Sequence, residues 1–252
     1  YTIQAVTFDN NGYQYRCNVI NTKNGVSSEP FNSDPAVLSV VADPSVISHP
    51  QNTTIAVGAT ATFTVTAKAA DAGEGGVLNY QWQLSTDDGN TWGNIPGATN
   101  ASYTTPPVAF DNNGYKYRCE VTNTRKGVSS NPVYCSPAVL NVVANPSITG
   151  QPQNITVKIG ANATFTVTAE AADADEGGVL SYQWQRSTDG GNTWSDIPGA
   201  IDTSYTTPAV SFDHNDHRYR CEVKNTKNEV SSEPIYSDQA ILTVKAHRIT
   251  IL

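Results

Sequence analysis

Methionine is absent, and charge is scarce: Asp, Glu, Lys and Arg make up only 15% of the chain. What charge there is runs acidic, with 15 Lys and Arg against 23 Asp and Glu, for a net charge of −8. That sign argues against nucleic-acid binding, which needs a basic face to displace phosphate counterions, and against adsorption to anionic lipid. No apolar run approaches the roughly 20 residues that cross a bilayer as a helix. The opening residues 1–4 read as strand rather than leader, so export and anchoring signals are expected to lie elsewhere. Sustained 3.6-residue periodicity is missing too, which excludes helix beyond single turns. No G-x-S-x-G elbow and no Gly-rich phosphate loop occurs, and no enzymatic activity is expected.

What the chain has instead is repetition. Residues 9–19 read DNNGYQYRCNV, residues 111–121 DNNGYKYRCEV and residues 213–223 DHNDHRYRCEV. Cys17, Cys119 and Cys221 are spaced by 102 residues in both intervals. So strict a register marks one structural unit copied end to end. With 252 residues, two whole copies and part of a third fit, each whole copy long enough to bury its own core. Residues 1–46 are expected to be the back half of a copy. Residues 47–145 and 146–246 are two complete domains, and residues 247–252 are a strand extension or the start of another domain.

Within the complete copies, short alternating stretches recur between turn residues, as in an all-β sandwich. Residues 61–67 place Phe63, Val65 and Ala67 on one face and threonines on the other, and Phe165, Val167 and Ala169 repeat that face. Leu78, Tyr80 and Trp82 form a second apolar stripe, Tyr117, Cys119 and Val121 a third, and Ala138, Leu140 and Val142 a fourth. The junctions at residues 41–46 and 143–148 carry one proline each and no flexible Gly/Ser run. Linkers this short leave little freedom, so the expected arrangement is a rod.

A strand-B-like alternation, a tryptophan on the next strand and a later Tyr-x-Cys-x-Val together resemble the immunoglobulin superfamily. The similarity is greatest to the tandem Ig-like repeats of bacterial cell-surface proteins, and it covers the whole chain. By that resemblance Trp82 and Trp184 match the core tryptophan of strand C. Tyr15, Tyr117 and Tyr219 match the tyrosine corner two residues before the strand-F cysteine. The position of the strand-B cysteine falls on Val65 and Val167, so the inter-sheet disulfide has no partner. The resemblance therefore implies a structural core of Val65, Trp82, Tyr117, Cys119, Val167, Trp184, Tyr219 and Cys221, with Cys17, Cys119 and Cys221 as buried free thiols. Packing of Phe63 and Phe165 beside the tryptophans is expected to replace the missing bridge, whose loss typically costs about 2–5 kcal/mol. Cys135 is expected to be a partly exposed thiol, with a link to Cys119 or to another chain as alternatives.

Several patterns invite a chemical reading. Residues 85–92 and 187–194 both fit S-x-D-x-G-x-x-W, which resembles the Asp-box of sialidase propellers. That motif is a hairpin-folding device of the Asx-turn kind, and no paired carboxylates for glycoside cleavage accompany it. Acidic loops offer Asp71 and Glu74, then Asp173, Asp175 and Glu176, as calcium ligands. A hard cation wants six to eight oxygens, and the spacing fits no known calcium loop, so a solvated turn competes. His214 and His217, with Asp213 and Asp216, form a second metal candidate. Asn52, Asn100, Asn154 and Asn162 open glycosylation sequons. Exposed Tyr134 and Tyr236, with the region of Phe31, are candidates for a sugar- or protein-binding face.

The expected fold is thus all-β, tandem immunoglobulin-like sandwiches in a rod. The expected role is non-enzymatic: an extracellular structural or adhesive spacer of a bacterial cell-surface protein, without cofactor. Its partners would be neighbouring repeats, with self-association and a host glycan or protein as further candidates. Alternatives are a glycan- or protein-binding module and a subunit of an extracellular filament. Residues 1–46 alone would expose Val19, Leu38 and Val40, because three strands without an opposing sheet are marginal.

Overall fold

The computed structural model describes residues 1–246. The expected continuation at 247–252 lies outside the described residues. Two compact units are present: one comprises residues 1–51, 62–103 and 116–138, the other residues 52–61, 104–115 and those from 139 onward.

The last copy lies wholly in the second unit. Its backbone is the strand Arg218–Lys227, which pairs antiparallel over nine residues with Val179–Ser187 and places Trp184 opposite Cys221. Ala240–Lys245 continues the sheet on the other side of Arg218–Lys227 and in turn pairs parallel with Ile155–Lys158. Ser195–Asp196 edges the Val179–Ser187 side. The short strands Val230–Ser231 and Ile235–Tyr236 also bond to Arg218–Lys227. The opposing layer is made of Pro146–Gly150 paired with Thr168–Ala171, and Thr164–Thr166 paired with Ser204–Thr206. This is the immunoglobulin-like β-sandwich. The only helical elements among the described residues are single 3-10 turns such as Phe212–His214.

Burial follows the two-residue period that a half-buried strand imposes. Along Arg218–Lys227 the buried positions are Tyr219, Cys221, Val223, Asn225 and Lys227, alternating strictly with half-buried ones. Phe165 stacks on Tyr219 at 4.5 Å between centroids and lies 6.3 Å from Trp184. Such aromatic pairs add about 0.5–1.5 kcal/mol beyond the area they bury. The tryptophan also satisfies its one donor, with Nε1 giving a hydrogen bond of 3.0 Å to the Asp202 carbonyl.

Every strand of this copy has a counterpart 102 residues earlier, from Pro44–Ser48 to Ala138–Val143. In the first unit, Val77–Ser85 pairs with Lys116–Arg125 and sets Trp82 opposite Cys119. Phe63, Val65, Trp82, Tyr117, Cys119 and Val121 are all buried, and Phe63 stacks on Tyr117 at 4.6 Å. Pro44 and Pro146 each open a strand, a position where the missing N–H breaks no ladder.

Residues 1–40 differ. Their ladders are two residues long: Gln14–Tyr15 with Ala36–Val37, Asn18–Val19 with Phe31–Asn32, and Thr22–Lys23 with Val26–Ser27. Val19 is exposed, while Leu38 and Val40 are half-buried. Two thiols depart from expectation. Cys17 is exposed, because no second layer covers this sheet face among the described residues. Cys135 is buried and free, since its sulfur accepts a hydrogen bond of 2.9 Å from the Cys119 amide, the role that the Ser237 hydroxyl plays for Cys221.

Candidate functional sites

Two features recur in both complete copies: a hairpin that feeds an aromatic–arginine stack, and a clamp on the linker peptide.

The hairpin follows the strand that carries the buried tryptophan. In the last copy Ser187 Oγ donates to Asp189 Oδ1 at 2.7 Å and accepts the Gly191 amide at 2.8 Å. Asp189 also accepts the amides of Asn192 and Thr193 and the Thr193 hydroxyl. Thr193 is the main reason its carboxyl is held well below the usual range, with Ser187 adding to the effect. Asp87 has the same setting, and its pKa is lowered to about 2 by Thr91 first and Ser85 next. A carboxylate filled by local donors is occupied with holding a turn. The hairpin then presents Trp194 against Arg220, with the guanidinium 4.4 Å from that ring and 4.2 Å from the ring of Tyr236. Arg118 lies likewise between Trp92 and Tyr134, at 4.2 and 4.4 Å. Arg118 Nε donates to Gln83 Oε1 at 2.7 Å, and Arg220 Nε to Gln185 Oε1 at 2.8 Å. Each arginine is thus fixed by cation–π contacts with two rings and by an amide at its edge. Tyr134 and Tyr236 remain 44% exposed. The arginine of Tyr-Arg-Cys stands in all three copies of the motif, and that recurrence is the sequence signal for the stack.

The clamp uses the acidic loop. Asp173 is fully buried. Its Oδ2 accepts the Ala144 amide at 3.1 Å, and its Oδ1 accepts Asn225 Nδ2 at 2.6 Å. The same Nδ2 donates to the Ala144 carbonyl at 2.9 Å. Both peptide groups of a buried linker residue are therefore satisfied by side chains, as burial of backbone demands. In the first unit Asp71 and Asn123 hold Ala42 in the same way. The turn closes through Gly177 at φ 95°. Gly178 follows, and a β-carbon on it would collide with the Asp173 carboxylate.

These placements sort the calcium candidates. Asp71 and Asp173 point inward and are consumed by the clamp. Asp175 is exposed. Glu176 accepts hydrogen bonds of 2.8 Å from both Lys227 Nζ and Asn113 Nδ2, which hold its carboxyl below the ordinary range. Glu74 sits in the equivalent turn, Ala72–Glu74. Among the described residues no three His, Cys, Asp or Glu side chains come together as a metal site. His214 and His217 do approach, with ring centroids 5.3 Å apart, but His214 Nδ1 accepts the Ser211 amide and so caps its own turn. Asn52 and Asn154 similarly use Oδ1 to accept the amides of Val139 and Ile241.

A family model described as "Domain of unknown function (DUF8696)" matches residues 45–144 and 148–246. Endoglucanase C of Cellulomonas fimi is 29% identical over 194 residues, which is 76% of this chain and 16% of that protein. Among solved structures, the three N-terminal domains of the bacteriophage RB49 Highly Immunogenic Outer Capsid protein cover 95% of this chain and align over 81% of their own, with TM-score 0.55 and 15% identity. Extracellular domains 3–5 of Drosophila OTK cover 96% of this chain and align over 73% of their own, with TM-score 0.43 and 15% identity. No helix among the described residues is long and apolar enough to cross a membrane.

Proposed function

Since the chain belongs to the family described as Domain of unknown function (DUF8696), we propose from its own residues that it is a non-enzymatic, extracellular spacer or adhesive segment of a bacterial surface protein. The observation that carries this reading is the copying of the joint as well as the domain. Asp71 and Asn123 clamp Ala42 as Asp173 and Asn225 clamp Ala144. A spacer needs a fixed geometry at each hand-over more than it needs a distinctive loop. The loops accord with that: residues 99–102 against 201–204, and 125–127 against 227–229, differ in side chain but not in length.

A second reading has its own support. The stacks Trp92–Arg118–Tyr134 and Trp194–Arg220–Tyr236 leave the tyrosines partly exposed, and the similarity to part of an endoglucanase brings glucan polymers into view as ligands. Retention of the chain on a glycan array and on insoluble glucan separates the two. The spacer reading expects no retention. Retention that disappears when Trp92→Ala and Trp194→Ala are combined would replace it with glycan binding.

A further inference from the structure

The first unit holds a pair of thiols that neither reading uses. The ladder between Lys116–Arg125 and Val133–Tyr134 sets Val121 opposite Val133 and Glu120 opposite Tyr134. One step further in the same register Cys135 stands opposite Cys119, and its amide donates to the Cys119 carbonyl at 3.0 Å. The return bond of such a pair would run from the Cys119 amide to the Cys135 carbonyl. Here Cys135 Sγ accepts that amide instead, at 2.9 Å. A hydrogen-bonded antiparallel pair places its Cα atoms about 5.5 Å apart, and disulfides most often span about 5.5–6 Å. Both side chains are shut off from solvent, Cys119 at 0% and Cys135 at 3% exposed. The other copies lack the pair: Ser33 and Ser237 hold the place of Cys135, and their hydroxyls accept the amides of Cys17 and Cys221.

We propose that Cys119 and Cys135 are a modification site, joined by a cross-strand disulfide while the copy folds in an oxidising medium. The bond ties two neighbouring strands of one sheet in a domain whose Val65 leaves the two sheets without a covalent tie. Its setting rests on the extracellular reading, since disulfides persist where the medium is oxidising.

Timing follows from burial. In the folded copy, burial first and the neighbouring Cys135 next push the Cys119 thiol up to about 12, and a buried thiol that stays protonated is inert. The bond therefore forms before the sandwich closes, when the short connection of 16 residues between the two cysteines already brings them together. Oxidised glutathione serves as the electron acceptor. One cysteine thiolate attacks its S–S bond, giving a mixed disulfide and one glutathione thiolate. The other cysteine thiolate attacks the protein sulfur of that mixed disulfide and expels the second glutathione. Two protein thiols lose two protons and two electrons, and one glutathione disulfide becomes two thiols.

The test is to reduce and unfold the full chain, refold it in reduced and oxidised glutathione, and alkylate the product after unfolding it again. The expected product is two hydrogens lighter than the reduced chain. It takes up reagent at Cys17 and Cys221 only, two thiols instead of four, and peptide mapping joins Cys119 to Cys135. Cys135→Ser installs the residue that the other two copies carry there and should leave every remaining thiol free. Urea unfolding gives a second readout, because a cross-link restricts the unfolded chain: reductant should lower the midpoint of wild type and leave that of Cys135→Ser unchanged. If the chain aggregates on refolding, the same thiol count is made on protein exported to a bacterial periplasm. Four free thiols in soluble wild type overturn the proposal, as does a bond that engages Cys17 or Cys221 instead. Refolding does not depend on where the chain resides, so that failure strikes the bond and leaves the extracellular reading standing.

Discussion

The first and last copies of the Tyr-x-Cys motif share the Tyr-Arg-Cys run and the valine that follows two residues later, in different surroundings. Both begin with a 3-10 turn, Phe8–Asn10 and Phe212–His214. After it, Asn11 Oδ1 accepts the Val40 amide at 3.0 Å, and Asn215 Oδ1 the Val244 amide at 2.8 Å. Beyond that point they diverge. Tyr219, Cys221 and Val223 lie buried on a ten-residue strand. Tyr15 and Val19 fall on two separate two-residue strands with Cys17 between them, and Val19 is 56% exposed. The turn is written locally, in its Asn and Phe. The strand is not: its length and burial come from the partner Val179–Ser187 and from the layer containing Phe165. Strand preference is largely the preference for such surroundings.

Removing those surroundings should make the last copy behave like the first. The largest effect is expected from Trp184→Ala, which empties the centre of the sandwich and should cost about 3–5 kcal/mol. Val19→Ala should stay within about 0.5 kcal/mol, as surface changes do. Urea unfolding of the two variants measures the contrast, and similar losses in both would break it. Next comes Asn225→Ala. It leaves the buried Asp173 carboxylate without its 2.6 Å donor and the Ala144 carbonyl without a partner, a loss of about 1–3 kcal/mol. Gly178→Ala attacks the same clamp from the other side, and a result indistinguishable from wild type would show that the clamp relaxes freely.

Much of this architecture was legible in the sequence, for reasons that also mark where legibility stopped. Alternation in Phe165, Val167 and Ala169 reports a sheet face because the side-chain period of a strand is two. The 102-residue register reports tandem copies. Burial is another matter, since Cys17 and Cys221 have like neighbours in sequence and differ only in what lies above them. The acidic loops resemble a cation site because a sequence displays carboxylates and hides their donors. One signal was nevertheless present. Asp71 and Asn123 are separated by the same 52 residues as Asp173 and Asn225, and a polar pair repeated at fixed spacing through an apolar pattern points to a buried hydrogen bond. Lys227, Glu176 and Asn113 offered no such hint, because only the fold brings them together.

A smaller, pH-dependent effect belongs to the two complete copies. Burial pushes the Cys221 thiol from 9.0 up to about 11 and the Tyr219 phenol from 10.0 up to about 12. Cys119, buried and close to Cys135, rises to about 12. Each of these groups is easier to ionise once unfolded. The stability they contribute is whole below pH 9 and is lost as pH rises through 11 and 12. Thermal unfolding followed from pH 8 upward should therefore show a falling midpoint above pH 9, and a midpoint that rises instead would contradict the burial of these groups.

The smallest perturbation reads the comparison most directly. A thiol reagent at pH 8 modifies thiolate that it can reach. Cys17 is exposed, whereas Cys119, Cys135 and Cys221 are buried, and Cys135 Sγ already accepts the Cys119 amide. Native protein should thus react quickly at one thiol of the four. The remaining three should react only as fast as the sandwich opens, which ties their rate to the global unfolding free energy. Trp184→Ala should speed labelling of Cys221 by orders of magnitude while leaving the rate at Cys17 unchanged. Cys17→Ser should abolish the fast phase and shift the unfolding midpoint hardly at all. Equal rates at Cys17 and Cys221 in the native protein would mean that something covers the first copy in solution, and that the difference between the two copies is one of company rather than of fold.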